Sequence, residues 1–223
     1  MAQTCEQIIS RIKQLIGRSV NLNTTLDIDN ILLDALNEAQ RYIVRKLPHI
    51  TNLQVRDTTT LTTVTDQYSY SIASIVSLIA HIRGICIMNG SSSKYVRCLH
   101  PEDFDKQWPD VSSVGSGLPK YYTLRSDSIE FNCPISSTYS DKIIRIDYCR
   151  WPTEFSSITS TQMSDLNNAD YGLILFAWAD VLRVLAKGNG ELMAISTLKM
   201  QMFQEWLNTY KSYYDSLYEE LVE

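Results

Sequence analysis

The chain has 223 residues, 44% of them hydrophobic and 20% charged, enough to bury a sizeable core in one domain or in one domain carrying a large insertion; a disordered chain is excluded. A formal net charge of −5 leaves no global excess of Lys and Arg for neutralising phosphates, so salt-sensitive wrapping of nucleic acid and adhesion to anionic membranes are both disfavoured. The longest apolar stretch, around Leu173 to Trp178, falls far short of the ~20 residues a bilayer span requires.

Met1-Ala-Gln-Thr-Cys-Glu-Gln7 has no basic region followed by an apolar run, so the expectation is a mature protein beginning there without a secretory signal. Thr4-Cys-Glu-Gln7 matches a capping box, and Ile8, Ile9, Ile12, Leu15 and Ile16 form one apolar stripe, predicting a helix to about Gly17. After a polar connector, Ile28, Ile31, Leu32, Leu36, Ala39, Ile43 and Leu47 recur at helical spacing from about Asp27, and Pro48 stops this second helix.

From about Thr51 to Trp151 the spacing changes to short alternating runs rich in Thr, Tyr, Ile and Val, which predicts strands. Ile144, Ile146 and Tyr148 point one way while Arg145 and Asp147 point the other, and Ile129 with Phe131 repeats the device. Turns at Asn89-Gly-Ser91 and Ser126-Asp127 predict two hairpins. His100 to Trp108 reads as a short helix, with Pro101 at its first position and Glu102 and Asp103 against the positive end of its dipole. Ser112 to Gly117 reads as a flexible loop.

Helical spacing returns at about Asn168. Tyr171 to Ala186 is apolar nearly all round, apart from Asp180, Arg183 and Lys187 on one line, and should form the buried centre of the helical part. Lys187-Gly-Asn-Gly190 turns the chain. The last helix, from about Glu191, carries a stripe through Leu192, Ile195, Leu198, Met202, Trp206, Tyr210, Tyr213, Leu217 and Leu221. A second line through Met200, Phe203, Leu207, Tyr214 and Tyr218 widens it, enough to touch more than one neighbour, so self-assembly is expected. The fold class is therefore α+β: about four helices, an N-terminal pair (1–50) and a C-terminal pair (153–223), with an antiparallel β domain inserted between them (51–152).

A search for chemistry comes up short. Cys5, Cys86, Cys98, Cys133 and Cys149 are odd in number and contain no CxxC pair, which fits reduced, buried thiols in a cytoplasm. His49, His81 and His100 belong to no ligand spacing, and the SxxK matches at Ser10 and Ser91 lack their companion motifs. No metal or cofactor is expected. Glu102, Asp103 and Asp105 form the best acid cluster, two of them explained by dipole complementation. Arg41 and Arg45 stand four apart with Lys46 beside them, and could meet an acidic partner or a DNA backbone, though they also complement their own helix end. Asp180 and Arg183 read as an intrahelical pair.

Gly117-Leu-Pro119-Lys-Tyr121, Ile129-Glu-Phe131-Asn-Cys-Pro134, Ile144-Arg-Ile146-Asp-Tyr148 and Trp151-Pro152 with Phe155 stand in an order that resembles the head-to-tail adaptor proteins of tailed bacteriophages. A helix of the type Leu36-Asn-Glu-Ala-Gln40, a strand from Tyr68 to Ile72 and a helical pair after Asp165 extend the resemblance over nearly the whole chain. Ile135-Ser-Ser-Thr-Tyr139 departs from it, standing where that family often carries a second Pro and an Asp.

The resemblance implies a non-enzymatic structural virion protein of the neck, assembled in the bacterial host cytoplasm. It implies a homo-oligomeric ring, twelve-fold, beneath the portal and around the DNA channel. DNA would pass without sequence-specific binding, and tail or neck proteins would attach to the ring. Trp206, Tyr210, Tyr213, Tyr214, Leu217 and Tyr218 are the expected portal or subunit contacts, with core packing as the alternative for the first two. The alternatives in function are a stopper or tail-completion protein, a DNA-contacting accessory using Arg41 and Arg45, and a hydrolase using the acid cluster.

Overall fold

The structure is a computed structural model that describes residues 2–17, 28–47, 49–89 and 92–222, with side chains except at 51, 92 and 217–222. Pro48 and the turn at 90–91 lie outside the described residues, as does the connector 18–27. Five α-helices are described: α1 (Cys5–Gly17), α2 (Ile28–Lys46), α3 (Pro101–Gln107), α4 (Asp170–Ala186) and α5 (Gly190–Val222). The strands are β1 (Gln54–Thr62), β2 (Ser69–Ser71), β3 (Ile79–Asn89), β4 (Ser92–Cys98), β5 (Tyr121–Arg125), β6 (Ser128–Phe131) and β7 (Ile143–Arg150). The chain divides into two compact units, one of Met1–Leu53 with Trp151–Glu223 and one of Gln54–Arg150.

The helical unit begins with the capping box. The Thr4 amide donates to Gln7 Oε1 at 3.0 Å and the Gln7 amide to Thr4 Oγ1 at 3.3 Å, so two amides that the first turn leaves without partners are satisfied. Ile8, Ile9, Ile12 and Ile16 are then buried together on one face of α1. α4 is the centre of this unit, packing against α1, α2 and α5, which is what an all-round apolar helix requires. It ends where Lys187 (φ 35°) and Gly188 (φ 90°) take left-handed conformations. Asn189 Oδ1 accepts from the amides of Glu191 and Leu192 at 3.0 and 3.3 Å, opening α5 after a connection of three residues.

On α5 the buried face differs from the expected leading stripe. Leu192, Ser196, Phe203, Leu207, Tyr210 and Tyr214 are buried, whereas Leu198 and Tyr213 are exposed. The cause is local: Ser196 donates its hydroxyl to the Ala179 carbonyl at 2.7 Å, and Phe203 packs edge-on against Phe176 and Tyr42, at 5.2 and 5.7 Å between ring centres. These contacts rotate the helix so that its second apolar line faces inward.

The sheet unit is one curled sheet of seven strands in the order β1-β7-β3-β4-β5-β6-β2. One face of every strand feeds a single core, in which Tyr70, Ile85, Ile87, Val96, Tyr122, Ile129, Phe131, Ile144, Ile146 and Tyr148 are buried. The pairing is antiparallel with one exception: β4 and β5 run parallel through Arg97 opposite Tyr121 and Cys98 opposite Tyr122. α3 lies between them in sequence and carries the chain back, which is the crossover a parallel pair needs and corrects the wholly antiparallel expectation. The segment expected as a flexible loop is also ordered: Asp110 accepts from the Ser112 amide and hydroxyl around a 3₁₀ turn at Val111–Ser113, and Gly117 forms a bridge with Ile135.

β1 is an edge strand with an interrupted ladder. Its register shifts between Asp57 and Leu61, and Asp57 accepts from the Thr59 amide and hydroxyl at 2.8 and 3.0 Å and from the amide and hydroxyl of Thr60. Burial would raise the Asp57 carboxyl, but these four bonds outweigh it and hold the group below its ordinary value. The bulge breaks the straight run of backbone groups that an edge strand otherwise offers.

Candidate functional site

Three of the residues expected to make assembly contacts, Trp206, Tyr210 and Tyr214, form a ladder along α5 with Phe203. Phe203 stacks on Trp206 with 5.9 Å between ring centres, Trp206 on Tyr210 at 4.7 Å, and Tyr210 meets Tyr214 edge-on at 4.9 Å. The Tyr210 hydroxyl donates to the Asn167 carbonyl at 2.5 Å, and burial followed by the Tyr214 hydroxyl pushes its titration up. Tyr210 and Tyr214 are buried within the helical unit and Trp206 is half-buried, while Tyr213 is 52% exposed. Of the six expected contact residues, Tyr213 therefore holds its ring at the surface. Leu217 and Tyr218 lie outside the residues whose side chains are described.

Arg41 and Arg45 already have acidic neighbours. Arg41 pairs with Glu154 and reaches Glu38 at 3.8 Å, and Arg45 bonds to Glu38 at 2.9 Å with its guanidinium 5.9 Å from the centre of the Trp151 ring. Exposed pairs of this kind contribute about 0–1 kcal/mol each, so they order the α2 surface more than they stabilise it. Asp180 and Arg183 form the expected pair on α4.

Residues quoted for the family resemblance prove to close hydrogen bonds on one another. In the sheet unit the Gly117 amide donates to the Pro134 carbonyl at 2.8 Å and the Ser136 amide to the Gly117 carbonyl at 3.1 Å. Asn132 Oδ1 takes the amides of Lys120 and Tyr121, both at 3.0 Å, where Pro119 has interrupted regular pairing.

In the helical unit Asn37 is buried in the middle of α2. Its Nδ2 donates to the Phe155 carbonyl at 3.1 Å, and its Oδ1 accepts the Phe155 amide at 2.8 Å. Gln40, one turn on, takes the Ser164 hydroxyl at 2.8 Å, and Asp165 takes the Thr153 amide at 2.7 Å. A coil from Thr153 to Ser164 is thus fastened to α2 by side chains that supply the backbone partners it would otherwise lack. Sequence reasoning passed over Asn37 and Gln40 as individuals. The available signal was their position between Leu36, Ala39 and Ile43, inside the buried arc of an amphipathic helix.

The outer face of the sheet carries a polar cluster. Tyr95 on β4 lies against Gly84 on β3, where a Cβ would stand 3.4 Å from the ring. Arg145 on β7, 8% exposed, donates to the Tyr95 hydroxyl and lies 5.2 Å from its ring centre. Asp147 joins both, at 3.1 Å from Arg145 and 3.3 Å from the Tyr95 hydroxyl, and reaches Arg56 on β1 at 3.2 Å. The acid cluster on α3 is divided: Asp105 pairs with Arg125, which also holds Glu130 at 2.6 Å, and Asp103 lies 3.7 Å from Lys106. A cavity of about 270 Å³ opens between Asp66, Tyr68, Ser112, Val114, Ser116 and Pro134. Among the described residues no three His, Cys, Asp or Glu side chains gather to hold a metal, and no helix is long and apolar enough to cross a membrane.

Polar side chains that close backbone bonds, and aromatic side chains stacked in a ladder, are the means by which each unit holds its own chain in place. A family model for SU10 adaptor proteins matches residues 3–219, and no curated protein matches the chain. The chain belongs to the SU10 adaptor family, a family of phage head-to-tail adaptors, and is a virion component by that membership. The family is structural, and its members imply interaction with portal and tail proteins.

Proposed function

We propose that this protein assembles as a ring beneath the portal vertex, encircles the DNA exit channel and offers the platform on which the tail is built. The observation that carries this reading is the family match across residues 3–219. Charge distribution supports it. The sheet segment 54–150 holds ten basic and ten acidic residues, so the net charge of −5 resides in the helical unit. A channel walled by acidic helices repels the DNA backbone and lets it slide. Tyr213, exposed on a helix whose other described rings are committed to packing, supplies an apolar surface for a sister copy or for the portal.

The test is direct. The purified chain is mixed with its portal and the complex is weighed by native mass measurement and imaged. A ring of copies on one face of the portal is the expected result; a chain that stays unassociated with portal at every concentration overturns the reading.

A further inference from the structure

From Ser92 to Val96 the β4 strand is paired on one side only. Residues from Ser92 to Val96 lie opposite Asn89 to Ile85 on β3, whereas β5 takes up only Arg97 and Cys98. The direction of the remaining backbone groups follows from the period of two along a strand. The Arg97 amide donates to Lys120 on the β5 side at 2.9 Å, and the Leu99 amide donates to Tyr122 on the same side at 2.9 Å. The amides and carbonyls of Ser93 and Tyr95 therefore point the same way, past the start of β5, and no strand among the described residues meets them. Ser93, Lys94 and Tyr95 are exposed, Tyr95 to 63%.

This edge is built differently from that of β1. The β1 edge is broken by the bulge that Asp57 holds together, while the β3–β4 ladder runs from Ile85 to Asn89 without a register shift. The charge on β4 itself is one-sided. Arg56, Arg145 and Arg97 share the outer face of the sheet and Lys94 projects from the other, and Asp147 is the carboxylate among them, held by both Arg56 and Arg145. Lys94 and Arg97 have no acidic partner among the described residues. In a chain of net charge −5 this is a local cationic margin beside open hydrogen-bonding groups.

We propose that the Ser93–Tyr95 edge of β4 is a strand-addition site for an extended acidic segment of a partner protein. The segment's backbone bonds to Ser93 and Tyr95, and its carboxylates meet Lys94 and Arg97. Tyr95, propped on Gly84 and Arg145, gives the incoming strand a rigid aromatic neighbour at the cross-strand position.

Amide exchange on the full chain tests this, with a blocked peptide of alternating glutamate and valine as the probe and its lysine–valine counterpart as control. The acidic peptide is expected to slow exchange at Ser93 and Tyr95 by about tenfold or more at saturation, and the basic one to leave it unchanged. Ser93→Pro removes an amide that β3 does not use, so it abolishes the protection while the sheet persists. Should that variant unfold, the pair Lys94→Glu with Arg97→Glu decides the matter by transferring the preference to the basic peptide. Equal protection by both peptides, or none by either, overturns the proposal. So does protection that is already present without peptide and rises with protein concentration, because the occupant is then a second copy of the chain.

Discussion

The six-membered ring of Trp206 occupies the space where Gly172 would carry a Cβ, so α5 seats its largest ring against α4 at a residue without a side chain. Gly172→Ala is a favourable change for an isolated helix, by about 1 kcal/mol. Here the added methyl overlaps three ring atoms, and displacing a packed ring costs about 1–3 kcal/mol. The expected outcome is a small net loss of stability, with tryptophan emission shifted to the red as Trp206 is pushed outward. Chemical denaturation followed by fluorescence checks both, and the double variant with Trp206→Leu should recover the loss.

Asn37→Leu keeps size and strips both hydrogen bonds to Phe155. The Phe155 amide and carbonyl are then left buried without partners, which costs about 2–4 kcal/mol. Limited proteolysis should cut first between Thr153 and Ser164, because this coil is what the side chain holds. An unchanged cleavage pattern would show that the coil is kept in place by other means.

Alkaline pH should destabilise the protein earlier than an average chain. Burial pushes the Cys5 and Cys149 thiols from 9.0 up to about 11, and it raises the hydroxyls of Tyr70, Tyr122, Tyr148 and Tyr210 as well. The folded form holds these protons more tightly than the unfolded form. The thiol contribution is therefore complete below pH 9 and is lost as pH rises toward 11. Denaturation midpoints measured across that interval should fall, less steeply for Cys5→Ala with Cys149→Ala. In the same preparation a thiol reagent at pH 8 should modify exposed Cys98 before any buried cysteine.

Tyr213 and Tyr214 separate assembly from folding. Tyr213→Ser, at an exposed position, should alter monomer stability by no more than about 0.5 kcal/mol, yet weaken binding to portal or to sister copies if α5 makes those contacts. Tyr214→Ala opens a buried site and should cost about 3 kcal/mol whatever the assembly state. Sedimentation and thermal melts on the two variants distinguish the roles. Arg41→Ala with Arg45→Ala should leave duplex DNA retention unchanged, since both guanidinia are engaged by Glu38 and Glu154.

Helix positions were legible in the sequence because local chemistry sets them. Thr4 and Gln7 announce α1, and Lys187-Gly188 announces the break between α4 and α5. The rotation of α5 was not legible: its two apolar lines are nearly equal in content, and the choice falls to Ser196 and Phe203, whose partners Ala179 and Tyr42 are distant in sequence. The parallel β4–β5 pair escaped for the same reason, since an alternating strand pattern carries no direction. The ordered signature from Gly117 to Phe155 was readable as a resemblance, but its physical basis, the bonds of Asn132 and Asn37, arises only where segments distant in sequence meet.

The ends of the sheet unit meet. Gln54 on β1 stands opposite Cys149 on β7, so the polypeptide departs from the helices and returns to them at neighbouring points of adjacent strands. An arrangement of that sort behaves as a cassette: the excursion of about a hundred residues can lengthen or shrink without re-threading the helices, provided the doorway keeps its width.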